Sequence, residues 1–128
     1  MNKKVKTISI FGITGSVGKS AKDIILGDPD SFQVDTLVAK TNVKELVKIA
    51  ILLKPKLVAI YDESKHKLLE NALQGYQIDV CSGAKNIILA SKRKVDIFVA
   101  AIMGYAGLYT TYNSIPYTKI IALANKET

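Results

Sequence analysis

The chain is poor in the side chains on which most simple site chemistry is built. Its 128 residues include one cysteine, Cys81, and one histidine, His66. One thiol cannot close an internal disulfide, and one Cys with one His cannot hold a structural zinc. A lone thiol fits a reducing compartment. No base accompanies Cys81 in the sequence, so it reads as a small, half-buried residue rather than a nucleophile. No apolar run reaches the roughly 18 residues of a membrane span. The start, Met1-Asn2-Lys3-Lys4, leads into a short apolar segment followed at once by glycines and charges, unlike a secretory signal. The expected location is the cytoplasm, with no membrane partner. Acidic residues are scarce too, 11 against 18 basic ones, for a net charge of +7. Such an excess attracts anions. The lysines are spread along the chain, and the densest run, Lys92-Arg93-Lys94, has no interleaved aromatics. A stacking platform for nucleic acid is therefore not expected.

What is present is one domain's worth of chain, 48% hydrophobic, enough for one core. It is too short for a nucleotide domain plus a full substrate domain. Apolar strand-like runs alternate with helical periodicity. Strands are expected at Val5–Phe11, Gln33–Ala39, Leu57–Tyr61, Gln77–Val80, Val95–Ala101 and Lys119–Ala124. The first helix should present Val17, Ala21, Ile24 and Ile25 on one face and end near Gly27, before the Asp28-Pro29-Asp30 turn. The second should start at an Asn42 cap with Glu45 three residues on, and bury Val43, Leu46, Val47, Ala50 and Leu53. Further helices are expected over Glu63–Leu73, Ala84–Ser91 and Leu108–Ile115, with a loop around Met103–Ala106. Near-continuous apolar strands separated by amphipathic helices predict an α/β fold. The sheet is doubly wound (Rossmann-like), mostly parallel and of about six strands, with helices on both faces. The sequence stops just after the sixth strand, so residues 1–128 are expected to be a truncated domain.

The most informative segment is Gly12-Ile13-Thr14-Gly15-Ser16-Val17-Gly18, a G-x-x-G-x-x-G pattern between the first strand and the first helix. Gly12 allows a sharp turn, Gly15 clears the way for backbone N–H groups to reach a pyrophosphate, and Gly18 lets helix and strand pack closely. The helix N-terminus adds unpaired donors and a positive dipole end, and Thr14 and Ser16 add hydroxyls. Gly18-Lys19-Ser20 imitates the end of a P-loop, but that motif needs a glycine where this chain has Ile13. The second strand ends at Lys40-Thr41-Asn42 with no acidic residue to grip ribose hydroxyls; a cation and two donors favour the 2′-phosphate of NADP instead.

Other patterns invite catalytic readings that their positions oppose. Tyr61 and Lys65 spell Y-x-x-x-K, but they follow the third strand, far ahead of where dehydrogenases place that pair. His66, between lysines, reads as an exposed helix residue. Tyr105, Tyr109, Tyr112 and Tyr117 read as core or rim packing.

Three segments carry a family resemblance. Ile8-Ser9-Ile10-Phe11-Gly12-Ile13-Thr14-Gly15-Ser16-Val17-Gly18-Lys19-Ser20 resembles the opening of the 1-deoxy-D-xylulose 5-phosphate reductoisomerases. Ala100-Ala101-Ile102-Met103-Gly104-Tyr105-Ala106-Gly107-Leu108 resembles their loop after the fifth strand. Ala122-Leu123-Ala124-Asn125-Lys126-Glu127 is similar to their Leu-Ala-Asn-Lys-Glu segment. The resemblance implies an NADPH-dependent enzyme that isomerises and reduces 1-deoxy-D-xylulose 5-phosphate to 2-C-methyl-D-erythritol 4-phosphate, in non-mevalonate isoprenoid synthesis. It implies a phosphorylated sugar substrate, a need for Mg²⁺ or Mn²⁺, and a homodimer. It places Thr14, Gly15, Ser16 and Val17, flanked by Gly12 and Gly18, at the cofactor phosphates, and Lys40, Thr41 and Asn42 at the 2′-phosphate end. Ala101, Ile102, Asn125 and Glu127 would lie along the cofactor, and Lys126 would contact substrate. The family commonly has Gly-Lys-Asn where this chain has Lys40-Thr41-Asn42, which displaces the positive charge by one residue. No metal-binding or catalytic carboxylate cluster is expected within these residues, so the chain alone should bind NADPH without turnover. Two rival readings are another NADP-dependent dehydrogenase, such as a semialdehyde dehydrogenase, and a non-catalytic NADP-binding redox sensor. Asn125-Lys126-Glu127 argues against the first.

Overall fold

The fold is that of a computed structural model, which describes residues 4–124. Six strands alternate with five helices: β1 (Lys6–Phe11), α1 (Ser16–Gly27), β2 (Phe32–Ala39), α2 (Val43–Leu53), β3 (Leu57–Ile60), α3 (His66–Ala72), β4 (Asp79–Ser82), α4 (Ala84–Ser91), β5 (Val95–Ala100), α5 (Gly104–Ser114) and β6 (Thr118–Leu123). Short 3-10 turns at Pro29–Ser31, Glu63–Lys65 and Ile115–Tyr117 complete the chain. All pairings are parallel, in the order β4-β3-β2-β1-β5-β6. The winding direction therefore reverses between β1 and β5, which opens a crevice at the strand ends there.

Each face of the sheet has its own core. One joins Ile8, Ile10, Val34, Leu37 and Val58 to Ile25 of α1, Leu46 and Ile49 of α2, and Leu69 of α3. The other joins Phe11, Val38, Ala59 and Phe98 to Ile87 and Ala90 of α4. There the Phe11 and Phe98 rings pack at 4.6 Å, tilted by 41°, an arrangement worth about 0.5–1.5 kcal/mol beyond the area it buries. Ser9 points into this second layer, and its buried hydroxyl has no hydrogen-bond partner.

The doubly wound parallel architecture is the expected one, and three local expectations need correction while a fourth is narrowed. Gln77 sits at φ +57, a turn conformation, so β4 starts two residues late, at Asp79. Helix α5 starts at Gly104 instead of Leu108: the expected loop is already helical because Gly107 packs against the carbonyl of Ile102. On α1, Ile25 and Gly18 are buried, whereas Ile24 is 64% exposed and Val17 is exposed as well. Two close-packed anchor points seat this helix in place of a wide apolar stripe. The late tyrosines do not fill the core: Tyr105 and Tyr112 stand 79% and 69% exposed, with the Tyr105 ring stacked on Tyr109 at 5.9 Å.

Beside the starts of β3 and β5, charged side chains are paired. Arg93, from the basic run, donates through Nε to Asp35 at 2.7 Å, and Thr36 Oγ1 donates to the same carboxylate at 2.8 Å. Burial pushes the Asp35 carboxyl up, but these hydrogen bonds and the Arg93 charge outweigh it and hold it below the usual carboxylate range. Asp96 accepts from the backbone N–H of Thr7 at 2.9 Å and pairs with Lys119 at 3.3 Å, which holds its carboxyl down as well.

Candidate functional site

The loop after β1 is fixed from three sides. Gly12 and Ile13 both donate their N–H groups to the carbonyl of Val38, at 2.8 and 3.0 Å, tying the loop to the end of β2. The Ile13 side chain is fully buried and anchors it from below. Gly12 has φ +105, and a Cβ there would lie 2.5 Å from the carbonyl oxygen of Ala101. Any side chain would both strain the turn and push the β5 loop away. Gly18 carries the matching constraint on the helix side: its Cβ would meet the carbonyl oxygens of Gly12 and Ile13 at 2.4 Å.

Gly15 differs from both. It caps α1 with ordinary extended backbone, φ −82 and ψ 179, and a Cβ would meet nothing closer than the Gly12 oxygen at 3.7 Å. Neither conformation nor packing within the chain demands a glycine at this point. It lies beside the first turn of α1, whose N–H groups have no carbonyl four residues back within the helix. Ser16 and Val17 are exposed in that turn and Thr14 is half-buried beside it. No acidic side chain occupies the turn, so nothing in it neutralises the positive end of the helix dipole.

The neighbouring strand tips complete the rim. Lys40, Thr41 and Asn42 are exposed after β2. The backbone beneath them is braced by N–H groups of the β3 loop, Tyr61 to Ala39 and Asp62 to Lys40, both at 3.0 Å. Asn42 caps α2 as expected: its Oδ1 accepts from the Glu45 N–H at 3.1 Å, leaving its amide NH₂ to donate elsewhere. On the other side of the crevice, Ala101 donates its N–H to Phe11 at 2.8 Å, and Ala124 donates to Ala100 at 2.9 Å. Ala101 and Ile102 are half-buried there. The fold thus gathers Gly12, Thr14, Gly15, Ser16, Val17, Gly18, Lys40, Thr41, Asn42, Ala101 and Ile102 along the strand ends at β2, β1 and β5. Asn125, Lys126 and Glu127 lie outside the described residues.

With this geometry in place, the chain can be compared with known proteins. The family model described as 1-deoxy-D-xylulose 5-phosphate reductoisomerase matches residues 8–128. The chain belongs to the 1-deoxy-D-xylulose 5-phosphate reductoisomerase family. Curated reductoisomerases from Porphyromonas gingivalis and Ehrlichia ruminantium are 42% and 40% identical to it, each over 124 residues. Each comparison covers 96% of this chain and 32% of the relative, so the chain spans about a third of the length of the reductoisomerases it matches. Among solved structures, the Zymomonas mobilis reductoisomerase in complex with NADPH superposes with a TM-score of 0.92 at 37% identity, covering 95% of this chain and 32% of that one. A reductoisomerase in complex with NADPH, fosmidomycin and magnesium superposes with a TM-score of 0.86 at 31% identity, covering 94% and 30%.

The remaining candidates separate from the site. Tyr61 is half-buried, and burial raises its phenol above the ordinary value, the wrong direction for a proton-transfer tyrosine working near neutrality. His66 is not a bare surface residue as expected. It is half-buried, its Nδ1 lies 2.8 Å from Ser82 Oγ and its Nε2 lies 3.8 Å from Glu70, so it ties α3 to the end of β4. Cys81 is half-buried as expected, and burial pushes its thiol up. Among the described residues, no three His, Cys, Asp or Glu side chains are grouped to hold a metal ion. Asp35 and Asp96 are committed to Arg93, Thr7 and Lys119. Gly107, which the glycine pattern did not include, proves to be the tightest glycine contact: its Cβ would fall 1.8 Å from the Ile102 oxygen.

Proposed function

We propose that this chain is the NADPH-binding domain of a 1-deoxy-D-xylulose 5-phosphate reductoisomerase. The whole enzyme would isomerise 1-deoxy-D-xylulose 5-phosphate and reduce the product to 2-C-methyl-D-erythritol 4-phosphate. The observation that carries the reading is Gly15, a residue without a side chain where the fold itself would accept one, placed beside the free amides of a helix start. A bound diphosphate accounts for that vacancy, since its oxygens need the space a Cβ would take. Gly12, Thr14, Ser16, Val17 and Gly18 complete the cradle. Lys40, Thr41 and Asn42 would receive the 2′-phosphate, and Ala101, Ile102, Asn125 and Glu127 would run along the cofactor toward the nicotinamide. Lys126 would reach the substrate. When bound, the cofactor supplies the hydride; the described residues bind and orient it.

The metal and dimer contacts, and the substrate contacts other than Lys126, would come from the rest of a reductoisomerase of full length, so the chain alone binds NADPH and turns over no substrate. The whole protein acts in the cytoplasm as a homodimer with no nucleic-acid or membrane partner. Membership of the reductoisomerase family leaves the semialdehyde dehydrogenase and redox-sensor readings without support. The test is a pair of titrations followed by nicotinamide fluorescence. NADPH is expected to bind at least about tenfold more tightly than NADH, the scale of one well-placed charged contact. Equal affinities would remove the role given to Lys40 and Thr41, and absence of binding would remove the function.

A further inference from the structure

The loop after β5 is gripped between two glycines from different crossovers. On one side, the Ala101 carbonyl oxygen occupies the place where Gly12 would carry a Cβ, at 2.5 Å. On the other, the Ile102 carbonyl oxygen lies 1.8 Å from where Gly107 would carry one. Gly107 is buried in the first turns of α5, and its backbone has no positive φ. Its role is close approach alone. It lets the loop turn back over the helix it feeds, as Gly18 lets the Gly12–Ile13 segment lie over α1. The two crossovers at the winding reversal are thus built alike, and the second has a glycine whose only visible task is to set the path of residues 101–103. The Ile102 side chain packs against the second core, and the Ala101 N–H is tied to Phe11; Gly107 is what lets the Ile102 carbonyl lie against α5.

We propose that Gly107 is a positioning residue for the nicotinamide half of the cofactor, acting by holding the Ala101–Ile102 backbone against α5 at the lip of the crevice. This rests on the NADPH reading above. Any side chain at position 107 must drive the Ile102 carbonyl and α5 apart, which changes the lip of the crevice on the β5 side. The β1 loop and the β2 tip, which would take the diphosphate and the 2′-phosphate, are braced independently through Val38, Ala39 and Lys40. The β1 loop also touches the Ala101–Ile102 backbone at Gly12, so the effect of such a substitution is expected to be smallest at the 2′-phosphate end of the ligand and largest at the nicotinamide end.

The experiment compares two ligands on the 128-residue chain and its Gly107→Ala variant. NADPH spans both halves of the crevice, whereas adenosine 2′,5′-bisphosphate fills the β2 half, places a single phosphate at the β1 loop and has no nicotinamide half. Calorimetry on the folded variant is expected to show NADPH affinity lowered about tenfold or more, with bisphosphate affinity held within about twofold. Bound NADPH should also lose part of its nicotinamide fluorescence enhancement. Equal loss for both ligands in a folded variant, or no loss for either, would overturn the proposal. Should Gly107→Ala fail to fold, amide shifts of the unsubstituted chain decide the matter. NADPH must move the signals of Ala101, Ile102 and Gly107, and the bisphosphate must leave them in place; any other pattern contradicts the assignment. If the unsubstituted chain binds the bisphosphate and NADPH equally well, the positioning role falls and the nucleotide site stands. If it binds neither, the NADPH reading falls as well.

Discussion

Around Asp35 and Asp96, polar groups are spent on one another; at the ends of β1 and β2, they are left for something else. Asp35 is held by Arg93 and Thr36, and Asp96 by Thr7 and Lys119. At the opposite edge the backbone is laced together strand by strand, through Val38, Ala39, Phe11 and Ala100. The side chains above it, Ser16, Lys40, Thr41 and Asn42, remain exposed. The contrast separates residues that stabilise the domain from residues that recognise a ligand, even within one glycine motif. Gly12 and Gly18 are required by the fold, and Gly15 is not.

Substitutions can break that contrast, and the largest effect is expected at Gly18. Gly18→Val drives a branched side chain into the Gly12 and Ile13 carbonyls, and should lower stability by about 3 kcal/mol or more, read by urea denaturation. Second comes the opposite edge. Arg93→Ala leaves a buried Asp35 without its main partner and is expected to cost about 1–3 kcal/mol, moderated because Arg93 is itself partly solvated. The same pair sets an acid limb. Because the folded Asp35 carboxyl is held below its ordinary value, its contribution is fully present at neutral pH and above the unfolded pKa. It is lost as pH falls through the folded one. Asp35→Asn should flatten that part of the stability–pH curve. Third, Gly15→Ala is expected to leave the thermal midpoint nearly unchanged while lowering NADPH affinity about tenfold, by calorimetry. Should the midpoint fall as it does for Gly18, the division between folding and binding glycines would be wrong. Fourth, Lys40→Ala should lower NADPH affinity several-fold, by about 1 kcal/mol, and leave NADH unchanged in parallel titrations. Smallest is Ser9→Ala, which removes a buried hydroxyl without a partner and should change stability by less than about 1 kcal/mol, toward greater stability.

Much of this was legible in the sequence because it is written locally. Strand and helix alternation follows from apolar periodicity, and the glycine loop declares itself between Phe11 and Ser20. The Asn42 cap sits in its expected place. What escaped was written across the chain. Arg93 looked like part of a solvated basic run until the sheet brought it to Asp35, 58 positions away. His66 looked exposed until β4 brought Ser82 beside it. Ile24 followed helical periodicity, yet α1 is seated by Gly18 and Ile25 and leaves Ile24 in solvent. Gly107 had no visible task in sequence, because the reason for it is a carbonyl that arrives from the preceding loop. Of the core or rim places open to the tyrosines of α5, the exposed rim is the one they take.

The most direct measurement is a crystal structure of the chain grown with NADPH. The expected result is a diphosphate seated on the N–H groups of Ser16 and Val17, with the 2′-phosphate within reach of Lys40, Thr41 or Asn42 and the nicotinamide beside Ala101 and Ile102. A cofactor bound elsewhere, or a first turn of α1 facing only solvent with NADPH saturating, would contradict the assignment of this crevice.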